Sequence, residues 1–209
     1  MDGGAILLIS LAKGLLGEET SRLLGSFMVA RLWQTAMARA GRPEAERPDF
    51  NLYLDEFHNY LHLPQSLDEV LVEARGYRVG LALANQHLGQ LAPSTRDALS
   101  ANARTRVTFQ CGQEDARYLA REFEPWLGER QLRNLQRFQV AVRLCRDGRT
   151  ERPFTATTLP LLSAPGDGHA DQLIEAALRR YGRPRELVEL AIGRRFKAYR
   201  SDAGPRIKK

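Results

Sequence analysis

Apolar positions along the chain fall into short blocks that alternate between strand-like runs and helix-like spacing. Residues 5–11 (AILLISL) form a continuous apolar run of strand length, as expected of a central strand buried on both faces. After a turn at 14–17, Glu18-Glu19-Thr20-Ser21 places acids in a first helical turn. Leu23, Leu24, Phe27, Met28, Leu32 and Met37 then continue at helical spacing to about Ala40, where Pro43 and Pro48 close the helix. The stripe reads as core packing. A second apolar run begins at Phe50 and stops abruptly at Asp55-Glu56. Ser66 with Glu69 three residues on is a capping-box pattern for a helix through Leu67, Val70, Leu71 and Ala74.

Residues 79–84 form a third strand that ends in Asn85-Gln86, and Pro93 opens a helix to about Ala103. A strand over 105–111 and helices over 114–123 and 129–135 come next. Residues 139–145 and 150–157 flank Asp147-Gly148, a strong hairpin signal. Strands separated by helices predict βαβ units, hence an α/β fold with a mainly parallel sheet finished by an antiparallel hairpin.

Beyond this the composition shifts. Residues 160–168, with Pro160, Pro165, Gly166 and Gly168, read as a linker between a domain over 1–159 and a small helical appendage over 169–209, with helices at 170–181 and 185–199. The chain carries a net +6, but residues 179–209 hold 11 basic and three acidic side chains, a balance of +8, so the remainder is at −2. A basic tail fits nucleic acid or another polyanion, and equally a solvated tail with no specific partner. With 43% hydrophobic and 27% charged residues the chain is of the globular class. It has no apolar run approaching the ~18 residues of a membrane span, and its start lacks a basic signal-peptide region; the expected location is cytoplasmic. Cys111 and Cys145 have no CxxC spacing and read as buried free thiols.

Chemistry concentrates at the acidic pair. In open parallel sheets ligands bind beyond the carboxyl ends of the strands, where a run ending in Asp-Glu delivers both carboxylates. Asp55 is suited to a hydrated Mg²⁺, which takes one or two protein carboxylates alongside phosphates. Glu56, expected on the other side of the strand, is suited to orienting or deprotonating an attacking water. The pattern resembles a Walker B element, and an ordinary acidic junction gives the same letters. His58 and His62 lie four apart, but zinc needs further ligands that the pattern does not offer.

Taken together, LAKGLLGEETSRLLGSFMVARLWQTAMARAG, LYLDEFHNY, EARGYRVGLALANQHLGQL and NARTRVTFQCGQEDARYLAREF resemble the C-terminal half of the HerA/FtsK superfamily of P-loop motor ATPases, over roughly residues 5–158. Within it the likeness is to the type IV coupling protein branch, including the TraM recognition domain. The resemblance implies a RecA-like three-layer fold, ATP and Mg²⁺ as cofactors, DNA as cargo, a homo-hexameric ring, and relaxosome or type IV secretion components as further partners. It implies Asp55 as the Walker B aspartate, Glu56 as the catalytic glutamate, and Asn85-Gln86 as the nucleotide-facing end of the next strand, with Gln86 the sensor. A structural amide cap is the competing reading of Gln86. Arg75 matches the arginine inserted into a neighbour's site, with Arg78, Arg104 and Arg106 as rivals and a solvent-facing helix end as the bland reading.

One motif is missing. A P-loop needs Gly-x-x-x-x-Gly-Lys-Ser/Thr, and none of Lys13, Lys197, Lys208 and Lys209 has that context. The chain then reads as a fragment of a longer motor, as a subunit completed by a separate Walker A half, or as a remnant. A start just ahead of a buried strand favours the first. The rival function is a non-catalytic DNA-binding or docking module of the same fold. A chromosomal repair or segregation motor of the same superfamily is a third.

Overall fold

The computed structural model describes residues 1–60, 67–161 and 169–202, and it is a mixed α/β structure. Its contacts divide the chain into two units, Met1–Leu159 and Pro160–Lys209.

In the first unit a short helix α1 (Lys13–Leu16) meets the long α2 (Glu18–Met37) at Gly17, whose φ of 77° suits a residue without a Cβ. Glu18 and Glu19 occupy the first turn of α2, and a 3-10 turn at Ala38–Gly41 ends it. Strand β1 (Phe50–Leu54), helix α3 (Leu67–Glu73) and strand β2 (Val79–Leu83) follow. β1 and β2 pair in parallel, Phe50 opposite Val79 through Leu54 opposite Leu83. Burial alternates along both strands. On the covered face Phe50, Leu81 and Val79 pack with Trp33, Ala36, Val70 and Ala74 of the flanking helices and turn, and Tyr77 stacks edge-on against Trp33 at 5.7 Å. The other face, with Asn51, Tyr53, Gly80 and Ala82, is exposed. An apolar hollow lined by Val29, Trp33, Leu52, Val70 and Leu81 lies on the covered face and belongs to this core.

Helix α4 (Pro93–Asn102), strand β3 (Arg106–Thr108), helices α5 (Gln113–Phe123) and α6 (Glu129–Arg133), and strands β4 (Gln139–Arg143), β5 (Cys145–Arg146), β6 (Arg149–Thr150) and β7 (Phe154–Thr157) complete the unit. β4 is central in a three-stranded sheet, antiparallel to both β3 and β7. Its Ala141 joins Ala116, Ala120, Phe123, Leu132 and Leu135 in a second core.

Two expectations are corrected. Residues 5–11 form no strand: Ile6 is 88% and Leu8 84% exposed. An apolar run records a capacity for burial, but a strand exists only by pairing, and among the described residues β1 pairs only with β2. The segment is instead held at its ends. Asp2 is 2.7 Å from both Arg39 and Arg42, and the Leu11 carbonyl accepts from Ser21 Oγ at 2.8 Å. The sheet is also not mainly parallel. Parallel pairing is confined to β1 and β2 among the described residues, and β3, expected to extend it, lies antiparallel to β4 with Arg106 opposite Arg143. Those two guanidinia share the Glu122 carboxylate, at 3.7 and 2.6 Å, which fixes β3 beside β4. The Ser66 capping box, His62 and residues 162–168 of the linker lie outside the described residues.

The second unit contains helices α7 (His169–Tyr181) and α8 (Arg185–Asp202). Among its described side chains none is buried, and Leu173, Ile174, Leu178 and Tyr181 form an exposed stripe on α7.

Candidate functional site

The parallel register decides where the candidate residues meet. Leu54 stands opposite Leu83, and the ladder runs one step further: the Ala84 amide donates to the Leu54 carbonyl at 2.9 Å, and the Phe57 amide to the Ala84 carbonyl at 3.1 Å. Asp55-Glu56 and Asn85-Gln86 therefore emerge at the same carboxyl edge, although Asn85 follows Glu56 by 29 positions in the sequence.

Asp55 is exposed, and its Oδ1 accepts from the Glu56 amide at 3.0 Å. Glu56, expected on the other side of the strand from Asp55, is half-buried where Asp55 is exposed. β1 has ended, and Glu56 sits in the left-handed region at φ 50°, a conformation that costs an L-residue free energy and is found where the surroundings enforce it.

The surroundings here are the 3-10 turn Phe57–Tyr60. Phe57, 1% exposed, plugs the turn into the core beside Leu91 and Leu99. Buried Asn59 donates to the Glu56 carbonyl twice, from its main-chain N and from Nδ2, both at 3.0 Å. Its remaining oxygen accepts from Lys13 Nζ at 3.4 Å. Tyr60 lies against Gly25 of α2, where any Cβ would collide with its ring. The left-handed acid is thus held from α1, α2 and the core together. His58 Nδ1 lies 3.7 Å from Glu56 Oε2 and is otherwise without a hydrogen-bond partner.

On the second strand, Asn85 Nδ2 donates to the His87 carbonyl at 2.9 Å, so Asn85 serves the local turn, whereas Gln86 is exposed. The following 3-10 turn is fixed by Asp115 of α5, whose Oδ2 accepts from the Leu88 amide at 3.0 Å.

Arg75 stands apart from this edge. It lies in the turn before β2, where its carbonyl accepts from the Arg78 amide, at the amino end of the strand and exposed. Its rivals are engaged. Arg78 pairs with Asp49 at 2.7 Å, Arg106 is largely buried against Glu122 and the Leu99 carbonyl, and Arg104 donates to the Gly148 carbonyl. Burial pushes the Arg106 guanidinium below its ordinary value, opposed by Glu122.

The donor set at the edge is two carboxylates, one exposed amide and a lysine. Asp55, with one oxygen already taken, fits a metal that keeps most of its water, as Mg²⁺ does. It does not form a closed metal cage: among the described residues no three His, Cys, Asp or Glu side chains group to hold a metal. Both cysteines are free and half-buried.

Asn59, Lys13 and Asp115 were not among the candidates from sequence. Asn59 has a local signal, lying three residues after the acid it clamps; Lys13 and Asp115 reach the edge only through the fold. Among the described residues no helix is long and apolar enough to cross a membrane. No protein-family model matches the chain, and no curated protein matches it.

Proposed function

We propose that the chain is the C-terminal part of an ATP-driven DNA translocase of the HerA/FtsK kind, in the conjugative or type IV secretion branch. One observation carries the reading: the parallel pairing that brings Asp55-Glu56 and Asn85-Gln86 to one sheet edge, with Glu56 in a strained conformation clamped by Asn59.

In this reading Asp55 would hold Mg²⁺ through water. That ion, with ATP, supplies the phosphoryl electrophile. Glu56 takes or orients the proton of the attacking water, and Gln86, free of the local turn that occupies Asn85, donates to and accepts from groups beyond the edge. Arg75, exposed and far from the acidic edge of its own sheet, acts on the site of a neighbouring copy in a ring. The third layer of a RecA-like fold and the phosphate-binding glycine loop come from the Walker A half, since this sequence contains no such loop.

The test is calorimetric titration of the 209-residue chain with Mg-ATP, alone and joined to a candidate Walker A partner, with Asp55→Ala in parallel. Binding that requires the partner and is lost in Asp55→Ala supports the reading. In the completed motor Glu56→Gln is expected to bind nucleotide and not turn over; hydrolysis at the normal rate by E56Q overturns the assignment.

A second reading is favoured by the missing P-loop and the basic second unit: a non-catalytic DNA-binding module. It predicts DNA affinity that survives Asp55→Ala and falls steeply with salt.

A further inference from the structure

Away from the acidic edge, the hairpin of β5 and β6 concentrates positive charge beside an exposed aromatic ring. Its turn has Asp147 and Gly148 at φ 51° and 76°, both left-handed, as a tight two-residue hairpin requires. The register sets Arg146 directly opposite Arg149, a like-charge pair that repels unless an anion lies between or above it. Arg104 brings a third guanidinium to the turn by donating to the Gly148 carbonyl at 3.2 Å. A fourth, Arg152, lies over the Trp126 ring at 3.7 Å from its centroid, and Trp126 is 47% exposed. The hairpin's own acids are Asp147 and Glu151, the latter 3.3 Å from Arg146, and exposed Glu124 lies two residues before Trp126, so four arginines meet three carboxylates. At the other end of β4 the pairing recurs, with Arg137 4.7 Å from the ring of Phe138, which is 55% exposed.

We propose that this face binds single-stranded nucleic acid, with the hairpin arginines on the phosphates and bases stacked on Trp126 and Phe138. Guanidinia suit phosphate oxygens, and an aromatic face in water suits any unpaired base. An acidic protein segment would satisfy the arginines and leave the two rings unused. A duplex offers phosphates but keeps its base faces stacked inside. The proposal rests on the DNA-handling half of the reading above, and it concerns a different surface from both the acidic edge and the basic second unit.

The experiment titrates the full 209-residue chain with a thymidine oligonucleotide in the absence of ATP and Mg²⁺, so that failure of nucleotide binding leaves it intact. Trp33 is buried beside Tyr77, so ligand-induced change in tryptophan emission reports Trp126. Saturable quenching is expected from the oligonucleotide and none from inorganic polyphosphate. By anisotropy of a labelled oligonucleotide, Trp126→Ala is expected to weaken binding about 5- to 140-fold, the equivalent of one lost base stack, with Trp126→Phe restoring most of it. Arg146→Ser with Arg149→Ser is expected to lower the salt dependence by about 1.4 in log–log slope, two phosphate contacts' worth on a single strand. The proposal is overturned if Trp126→Ala binds as the parent does, if polyphosphate competes as well as the oligonucleotide, or if a duplex binds as tightly as the single strand. It is equally overturned if Arg194→Glu with Arg195→Glu abolishes binding that Trp126→Ala leaves untouched. That result would place the contact on the second unit.

Discussion

Replacing Glu56 by glycine is expected to make the protein more stable while removing the carboxylate on which the proposed chemistry depends. Glu56 is held at φ 50°, and an L-residue in that region costs about 1–2 kcal/mol. Glycine removes the cost and adds about 0.5–1 kcal/mol of lost chain freedom on folding. The two hydrogen bonds from Asn59 run to the Glu56 carbonyl and survive the change. The Glu56 side chain itself gives up little, being part-exposed with His58 3.7 Å away. The net gain is about 0.5–1 kcal/mol. At about 2–4 °C per kcal/mol for a chain of this size, Tm rises by about 1–4 °C. Glu56→Ala keeps the Cβ in the same region and is expected within about 0.5 kcal/mol of the parent. Urea unfolding followed by the emission of Trp33 and Trp126, both in the unit that contains the site, compares the three proteins. A glycine variant less stable than the alanine variant refutes the strain argument, and with it the reading of this conformation as one imposed for function.

Three further substitutions or conditions probe what holds the edge in place. Glu122→Ala leaves Arg106 and Arg143 largely buried without their shared carboxylate and is expected to cost about 3–5 kcal/mol by urea denaturation; a loss under 1 kcal/mol would show that the β3–β4 junction does not depend on it. Gly25→Ala would by helix propensity gain about 1 kcal/mol, but its Cβ collides with the Tyr60 ring, an overpacking cost of about 1–3 kcal/mol, so destabilisation is expected. In a Tyr60→Ala background the Leu11 Cδ1, 2.9 Å from that Cβ, is a side-chain tip that can shift, so the sign should reverse; a Gly25→Ala change equally destabilising there would mean that the ring is not the obstacle. The hydrogen bond from Arg78 to Asp49, and that from Arg39 to Asp2, hold both carboxyls below the ordinary carboxylate range. Because the folded values are depressed, their stabilisation is present above the unfolded value and lost as pH falls through the folded one. Stability should therefore decline with acid in and below the ordinary carboxylate range, and more shallowly in Asp49→Asn; an unchanged slope in that variant removes Asp49 from the account.

Local order was legible wherever one segment carried its own instructions. Acids ahead of an apolar stripe placed α2, Pro93 opened α4, and Asp147-Gly148 turned the hairpin with the φ values such a turn needs. The coincidence of Asp55-Glu56 and Asn85-Gln86 was legible too, because two strands joined by one helix pair in parallel and end at the same edge. What could not be read was pairing that depends on distant partners. Residues 5–11 have the composition of a central strand, but composition says nothing about which neighbour supplies the ladder. The antiparallel pairing of β3 with β4 is tied down by a half-buried carboxylate on α5, a residue with no signal of its own. The clamp on Glu56 escaped for the same reason, since Lys13 reaches Asn59 across 46 residues.

The two deficits of the first unit point the same way. The acidic edge offers carboxylates, an amide and one lysine, which can hold a hydrated cation and a water but not the run of backbone amides that a triphosphate needs. The β1–β2 pair, for its part, is covered on one face by α2 and α3 and bare on the other, where Tyr53 stands 76% exposed. A parallel pair is ordinarily covered on both faces. On the proposed reading one partner corrects both faults, because the segment that lays a glycine loop across the acidic edge is also the one that covers the bare face. Nucleotide binding and protection of Tyr53 should then appear together. If the Walker A partner restores Mg-ATP binding while Tyr53 stays as open to solvent as before, the phosphate cradle has arrived by some other route than completion of the sheet.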